Sequence, residues 1–353
     1  LEENVDLSKI RVEPPKRELE KFARKRLDNL TKPKGSLGRL EDLAVRLVSI
    51  YGEPFPKINK KLSLVFAGDH GVTAEGVSAF PKEVTRQMVY NFLIGKAAIN
   101  VLARHAGSVV KVIDVGVDYD FPNAEGLIIR KVVKGTRNFA IEPAMTRNEA
   151  IRTIEAGYEV TKEFIKEGFN MVGIGDMGIG NTTASSAITS VIVGIDPALV
   201  TGRGTGIDDT KLEKKIAVIR KAIELHKPNP NDPIDVLAKV GGAEIGAVAG
   251  AILACSEAKI PVILDGFNTT SGALIAYKIN LLTREYTIAS HLSEEIGHKV
   301  QLEYLGLEPI LNLGMRLGEG TGAALAMTIL EASLKIYSEM ATFEEVGVSR
   351  GTY

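Results

Sequence analysis

The chain has 353 residues, 45% hydrophobic and 25% charged, with a net charge of -1. This length can bury a large core as one big domain or two smaller ones, and the composition excludes a disordered chain. The near-zero charge gives no reason to expect nucleic acid or an acidic membrane as partner, and the single Cys255 excludes an intramolecular disulfide framework or a multi-cysteine zinc site.

Residues 1–21 are charged and lack the apolar core of a signal peptide, and no apolar run reaches the ~18 residues that span a bilayer. A protein of a reducing cytoplasm is therefore expected. Residues 16–50 read as helix, basic turn, helix, with Leu40, Leu43, Ala44 and Leu47 at helical spacing. A different unit then begins and recurs. The apolar runs 62–67, 109–113, 170–174 and 260–264 are short and rich in β-formers, and each closes on a carboxylate beside glycine: Asp69, Asp114, Asp176 and Asp265. Between the runs lie helical patterns. One spans Glu83 to His105, with Gly107 as its C-terminal cap, and another opens on the capping box Thr146-Arg-Asn-Glu149 and reaches about Gly168.

Continuous apolar strands alternating with helices predict an α/β fold, a doubly wound, mostly parallel, Rossmann-like sheet covered on both faces. The core is expected over residues 60–325, with residues 1–59 and 326–353 forming a smaller helical subdomain where the chain ends meet. Ligands in such sheets bind beyond the carboxyl ends of the strands, where the strand order reverses, so the Asp-Gly clusters should face one site. Residues 181–186 (NTTASS) and 268–273 (NTTSGA) form a faint internal echo, each following a strand–glycine segment. Cys255 lies in an apolar stretch and is expected to be a buried packing residue.

Three segments could carry chemistry. Gly173-x-Gly175-x-x-Gly178 has dinucleotide spacing, and Asp196 lies near the offset of a ribose-binding acid. The additional Gly180-Asn-Thr-Thr at the helix start favours a phosphate cradle, and a mononucleotide over a dinucleotide. Residues 201–206 (TGRGTG), with Asp208-Asp209 after them, form a second donor-rich loop. They lack the order that a diphosphate–Mg²⁺ donor would require, so a monophosphate ligand without metal or other cofactor is expected. Glu319, between Gly318 and Gly320, can be a ligand-facing base or a solvated turn residue. Asp69-His70 reads either as a catalytic pair or as a turn. His291 is a candidate ligand contact, while His105, His226 and His298 read as structural.

Taken together, LTKPKGSLGRL (30–40), FAGDHGV (66–72), EVTRQM (83–88), GDMGIGNTT (175–183), GRGTG (202–206), DGFN (265–268) and GMRLGEG (314–320) resemble the nicotinate-nucleotide–dimethylbenzimidazole phosphoribosyltransferases, in that family's order from about residue 30 to 348. The resemblance implies transfer of the 5-phosphoribosyl group from nicotinate mononucleotide to 5,6-dimethylbenzimidazole for the nucleotide loop of cobalamin. It assigns the catalytic base to Glu319. The second site acid becomes Asp176, where a glutamate one methylene longer is usual. Base-pocket contacts fall on Ser78, Phe80, Gln87, Met177 and Leu317, and phosphate and ribose contacts on Gly178, Gly180, Asn181, Thr182, Gly204, Ser290 and Gly314. It also implies a homodimer in which Lys214 or Lys215 completes the partner's site. A noncatalytic binder of nucleotides or azoles, and an NAD-linked oxidoreductase resting on the glycine spacing alone, are the alternatives.

Overall fold

The structure, a computed structural model, describes residues 7–349. Residues 1–6 and 350–353, the outermost parts of the expected end subdomain, lie outside the described residues. Six strands form one parallel sheet: β1 (Lys61–Gly68), β2 (Ser108–Gly116), β3 (Leu127–Ile129), β4 (Met171–Met177), β5 (Val262–Leu264) and β6 (Thr287–Ala289). Their spatial order is β3-β2-β1-β4-β5-β6. The order reverses between β1 and β4, which opens a crevice at their carboxyl ends. The register sets Phe66 opposite Asp176 and Ala67 opposite Met177, so the two carboxylate–glycine closures lie side by side.

The four apolar runs are β1, β2, β4 and β5. Every residue of β1 after Lys61 is buried, as strands covered on both faces require. The edge strands β3 and β6 have three residues each, too few for a periodic signal. The expected capping box is present: Glu149 N donates to Thr146 Oγ1 at 3.1 Å and Thr146 N donates to Glu149 Oε2 at 2.6 Å, opening the Arg147–Lys166 helix. The pattern from Glu83 to His105 is not one helix. It divides into Glu83–Leu93 and Ala98–Ala106, because Gly95 adopts φ +74° and Asn100 staples the break, accepting from Ala97 N and donating to Phe92 O. Gly107 caps the second helix in the left-handed conformation.

The two early helices, Glu18–Asn29 and Arg39–Tyr51, pack with the long Thr321–Glu339 helix. Arg26 Nε donates to the carbonyl of Tyr337 at 2.7 Å, and the Tyr337 hydroxyl donates to that of Pro54. The same long helix also lies on the sheet, where Met327 and Ala323 fill the space left by Gly173 of β4. Cys255 is fully buried in the Ala243–Glu257 helix, and burial pushes its thiol well above the ordinary range, as suits a packing residue. Among the described residues no helix is long and apolar enough to cross a membrane.

The tightest helix contact is between Arg147–Lys166 and Ala243–Glu257. A Cβ on Gly157 would fall 1.9 Å from the Ala247 carbonyl oxygen, and one on Gly250 would fall 1.9 Å from that of Ile154. Backbone cannot yield as a side-chain tip can, so a single methyl must push the helices apart. Gly250→Ala should lower unfolding free energy by at least the ~1–3 kcal/mol typical of overpacking, read from urea denaturation; unchanged stability would contradict this packing.

Candidate functional site

A cavity of about 630 Å³ opens where the strand order reverses, within the usual range for a small-ligand pocket. Its floor is the β4–helix turn, from Asp176 to Thr182. One wall is the 265–268 segment after β5, and another is the 316–319 hairpin. The residues that chain order scattered over more than two hundred positions therefore meet at one sheet edge.

Glu319 is built into this wall by backbone constraints. It is the middle of three successive left-handed residues, with φ of +88° at Gly318, +64° at Glu319 and +93° at Gly320. A non-glycine residue there costs of order 1–3 kcal/mol and persists only when its surroundings over-determine it. Here they do. Asp265 Oδ2 accepts from Gly320 N at 2.9 Å and Oδ1 from Gly322 N at 2.8 Å, clamping the hairpin to the start of the Thr321–Glu339 helix. The Glu319 backbone also lies directly over β4, where a Cβ on Gly175 would come within 2.2 Å of its carbonyl oxygen. The carboxylate is 7% exposed and accepts from Ile99 N at 3.4 Å, in the first turn of the Ala98–Ala106 helix. Burial raises its pKa above the ordinary glutamate range, the Ile99 N–H opposes this, and the charge of Asp265 adds to it.

Asp176 ends β4 on the cavity floor. Its Oδ2 accepts from Asn181 Nδ2 at 2.6 Å and from Asn268 Nδ2 at 3.1 Å. Both asparagines open an Asn-Thr-Thr segment, so the faint sequence echo is, in space, a two-sided amide clamp on one carboxyl. Ser185 and Ser271, about one turn after their respective asparagines, bond each other, and Ser185 Oγ donates to Asn268 Oδ1. That orients the Asn268 amide with its N–H toward Asp176. Burial, then the nearby charges of Glu244 and Asp265, push the Asp176 pKa up to about 8 against the pull of the two amides.

The Asn181–Val193 helix begins at Gly180, in the left-handed conformation; Asn181 N donates back to Gly178 O at 3.0 Å and Thr183 N to Gly180 O at 3.1 Å. Gly180, Asn181 and Thr182 line the cavity corner shared with Gly204 and Thr205. Lys215 serves this corner from within the same chain. Its buried ammonium donates to Thr182 Oγ1 at 2.7 Å and to Gly202 O at 3.3 Å, and burial lowers its pKa to about 8 despite the charge of Glu295. Lys214 Nζ instead lies near Gly76. The dinucleotide spacing has another cause. Side chains on Gly173, Gly175 and Gly178 would strike Met327, Glu319 and Gly68 respectively, so these glycines admit protein rather than a pyrophosphate. Asp196 caps a short 3-10 turn and pairs with Arg220, outside the cavity-lining set.

Ser78, Phe80, Met177 and Leu317 line the cavity, with Phe80 and Leu317 exposed at its mouth. Gly178 and His291 also line it, the latter buried with Nε2 3.6 Å from Asp265 Oδ1. Gln87, Ser290 and Gly314 are not among the lining residues. Gln87 is exposed one position off the Val84–Met88 stripe that faces inward. Ser290 is buried behind the wall, donating to Asp265 O, and Gly314 lies in an exposed loop beside Glu294. His298 is structural. Its Nδ1 accepts from Ser293 N, leaving Nε2–H for Thr270, and burial, then His291, lower its pKa to about 3. His226 bonds the Phe139 carbonyl, and His105 is exposed at a helix end.

Sequence reasoning passed over Glu244, which is fully buried 2.5 Å from His70. A detectable signal existed: a lone acid after Gly241-Gly242, in a helix otherwise buried and apolar as far as Ser256. It also left the clamp role of Asp265 unread, since that depends on two backbone N–H groups some fifty-five residues away.

A phosphoribosyltransferase family model (DBI_PRT) matches residues 12–348. A nicotinate-nucleotide–dimethylbenzimidazole phosphoribosyltransferase of Geobacter sulfurreducens is 56% identical over 340 residues, covering 96% of this chain and 97% of the relative. One from Geotalea uraniireducens is 58% identical over 331 residues, covering 94% of each. The crystal structure of CobT from Thermus thermophilus matches with a TM-score of 0.91 and 49% identity, over 95% of this chain and 100% of that one. With the sheet order, the clamped glutamate and full-length likeness in agreement, the chain belongs to the nicotinate-nucleotide–dimethylbenzimidazole phosphoribosyltransferase family.

Proposed function

We propose that the protein transfers the 5-phosphoribosyl group of nicotinate mononucleotide to 5,6-dimethylbenzimidazole, giving α-ribazole 5′-phosphate, nicotinate and a proton in assembly of the cobalamin nucleotide loop. The observation that carries this reading is Glu319: a single carboxylate, held rigidly in a half-apolar cavity, beside a helix start suited to a phosphate.

In this reading the phosphate docks at the helix start, against Gly180, Asn181 and Thr182 with Gly204, and the Lys215 ammonium balances its charge. The acceptor heterocycle lies among Phe80, Met177 and Leu317. Nicotinate in the mononucleotide carries a quaternary ring nitrogen. It leaves C1′ with the bonding pair as a neutral ring nitrogen and needs no proton. The benzimidazole has one N–H and one lone-pair nitrogen. As Glu319 takes the N–H proton, the other nitrogen attacks C1′ from the face opposite the departing ring, which inverts β to α. The proton then passes from Glu319 to solvent. Asp176, neutral below about pH 8, adds no negative charge beside the anionic nucleotide. The proposal further takes the protein to act in the cytoplasm as a homodimer, without nucleic acid or membrane, in keeping with its net charge of -1.

Glu319→Gln keeps the shape and loses the base. It should lower kcat by ~10²–10⁴-fold, with nucleotide affinity largely kept; near-wild-type release of nicotinate would refute the assignment.

The pH dependence follows from the same groups. Glu319 must be ionised, so turnover falls as pH drops through a pKa above the ordinary glutamate range. Asp176 and Lys215 each lose a proton near pH 8, and both losses weaken anion binding. Log kcat/KM should therefore fall with a slope steeper than one proton on the alkaline side, and Asp176→Asn should reduce it to about one. Stability gives an independent reading. A carboxyl whose folded pKa is raised contributes stability that is complete below its unfolded value and lost as pH rises through about 8. Thus Asp176→Asn should melt above wild type by more at pH 9 than at pH 6, the gap closing only as pH falls toward the unfolded value of 3.8. An equal gap at both pH values would show that Asp176 does not titrate in this range.

A further inference from the structure

His70 and Glu244 lie directly beneath the cavity floor and play no part in the chemistry above. Both side chains are fully buried, and His70 Nε2 meets Glu244 Oε1 at 2.5 Å. The imidazole is wedged between two glycine segments. A Cβ on Gly242 would lie 2.4 Å from His70 Cε1, and a Cβ on Gly178 would lie 3.4 Å from His70 Cδ2. A Cβ on Gly180 would lie 3.2 Å from His70 Cβ, so the ring's own backbone segment supports the turn that starts the Asn181–Val193 helix. Glu244 is held as tightly, since a Cβ on Gly68 would fall 2.7 Å from its Oε2. Three glycine-bearing segments, at the ends of β1 and β4 and before the Ala243–Glu257 helix, thus close on one hydrogen-bonded pair.

We propose that His70 and Glu244 form a buried imidazolium–carboxylate pair that positions the Asp176–Asn181 turn for the nucleotide phosphate; this rests on the phosphate docking described under Proposed function. They are positioning residues, because neither lines the cavity. The titratable groups facing His70 are all acidic: Glu244 from its helix, Asp69 from the end of β1 and Asp176 from the end of β4. Burial alone would strip the proton from the ring, yet the Glu244 carboxylate, bonded to it and seconded by Asp69, holds it there and raises its pKa above the ordinary histidine value. A neutral ring could still donate from Nε2 to the Glu244 carboxylate, but with charge on one partner only the bond would be weaker and the wedge looser.

Two measurements test the pair in the full-length protein. Histidine-selective ¹⁵N spectra, with the His70 signal assigned by its absence in His70→Gln or by elimination of the other four histidines, should show an imidazolium persisting at pH 8. In Glu244→Gln, which keeps an acceptor but removes the charge, the ring should be neutral at that pH. The same variant should raise the KM for nicotinate mononucleotide about tenfold with kcat changed less than threefold, and Glu244→Asp should restore part of the loss. A neutral His70 in the wild type at pH 7 overturns the proposal. So does a Glu244→Gln enzyme that loses only melting temperature while its KM stays within twofold of wild type. If the wild type does not turn over the nucleotide, the functional reading fails, while the spectra still decide whether the pair is charged.

Discussion

The main chain at Glu319 crosses β4 at a point where no side chain fits, and the site depends on that crossing. The carbonyl of Glu319 rests over Gly175, and the left-handed path from Gly318 to Gly320 is the route that brings it there. Asp265 holds both sides of the bend through two backbone N–H groups and so ties β5 to the start of the Thr321–Glu339 helix. The break at Gly95 contributes as well. Were the 83–105 segment one continuous helix, Ile99 N would be satisfied internally and could not face the Glu319 carboxylate. Rigidity of this kind suits the base proposed at Glu319, which must be oriented and ionised while the reacting atoms move.

The electrostatics follow from the same concentration of strand ends. Asp69, Asp176, Asp265 and Glu244 converge in a dry region, and each is buried to within a few per cent. Their crowding is relieved in three ways: by backbone N–H groups at Asp69 and Asp265, by a retained proton and two side-chain amides at Asp176, and by an imidazole at Glu244. Lys215 sits apart beside Thr182 and Gly202, where its own burial weakens its hold on a proton.

Much of this was legible in the sequence because strand ends carry their own mark. An apolar run closing on Asp-Gly identifies β1, β2, β4 and β5 and predicts that their ends share one face. The seven short motifs then picked out Glu319, Asp176 and the Gly180-Asn-Thr start, and the structure brings all three to one cavity. What escaped depends on contacts that local pattern does not encode. Three-residue β3 and β6 exist only by pairing with a neighbour. The split at Gly95 is decided by Asn100 reaching back across it. Glu244 is fixed by a histidine 174 positions away, and Gln87 turns outward by one helical step. The dinucleotide spacing misleads for a related reason: glycine marks close approach without saying whether the approaching group is a ligand or the protein's own backbone.

The brevity of the outermost strands has a bearing on assembly. A free sheet margin can recruit a further strand only in proportion to the unpaired amide and carbonyl groups it displays, and three residues at either margin display very few. Lengthening the sheet by docking another polypeptide edgewise is therefore a poor route to association. A second copy of this chain would have to seat itself on helical surfaces and connecting loops, beside the mouth of the crevice or away from it.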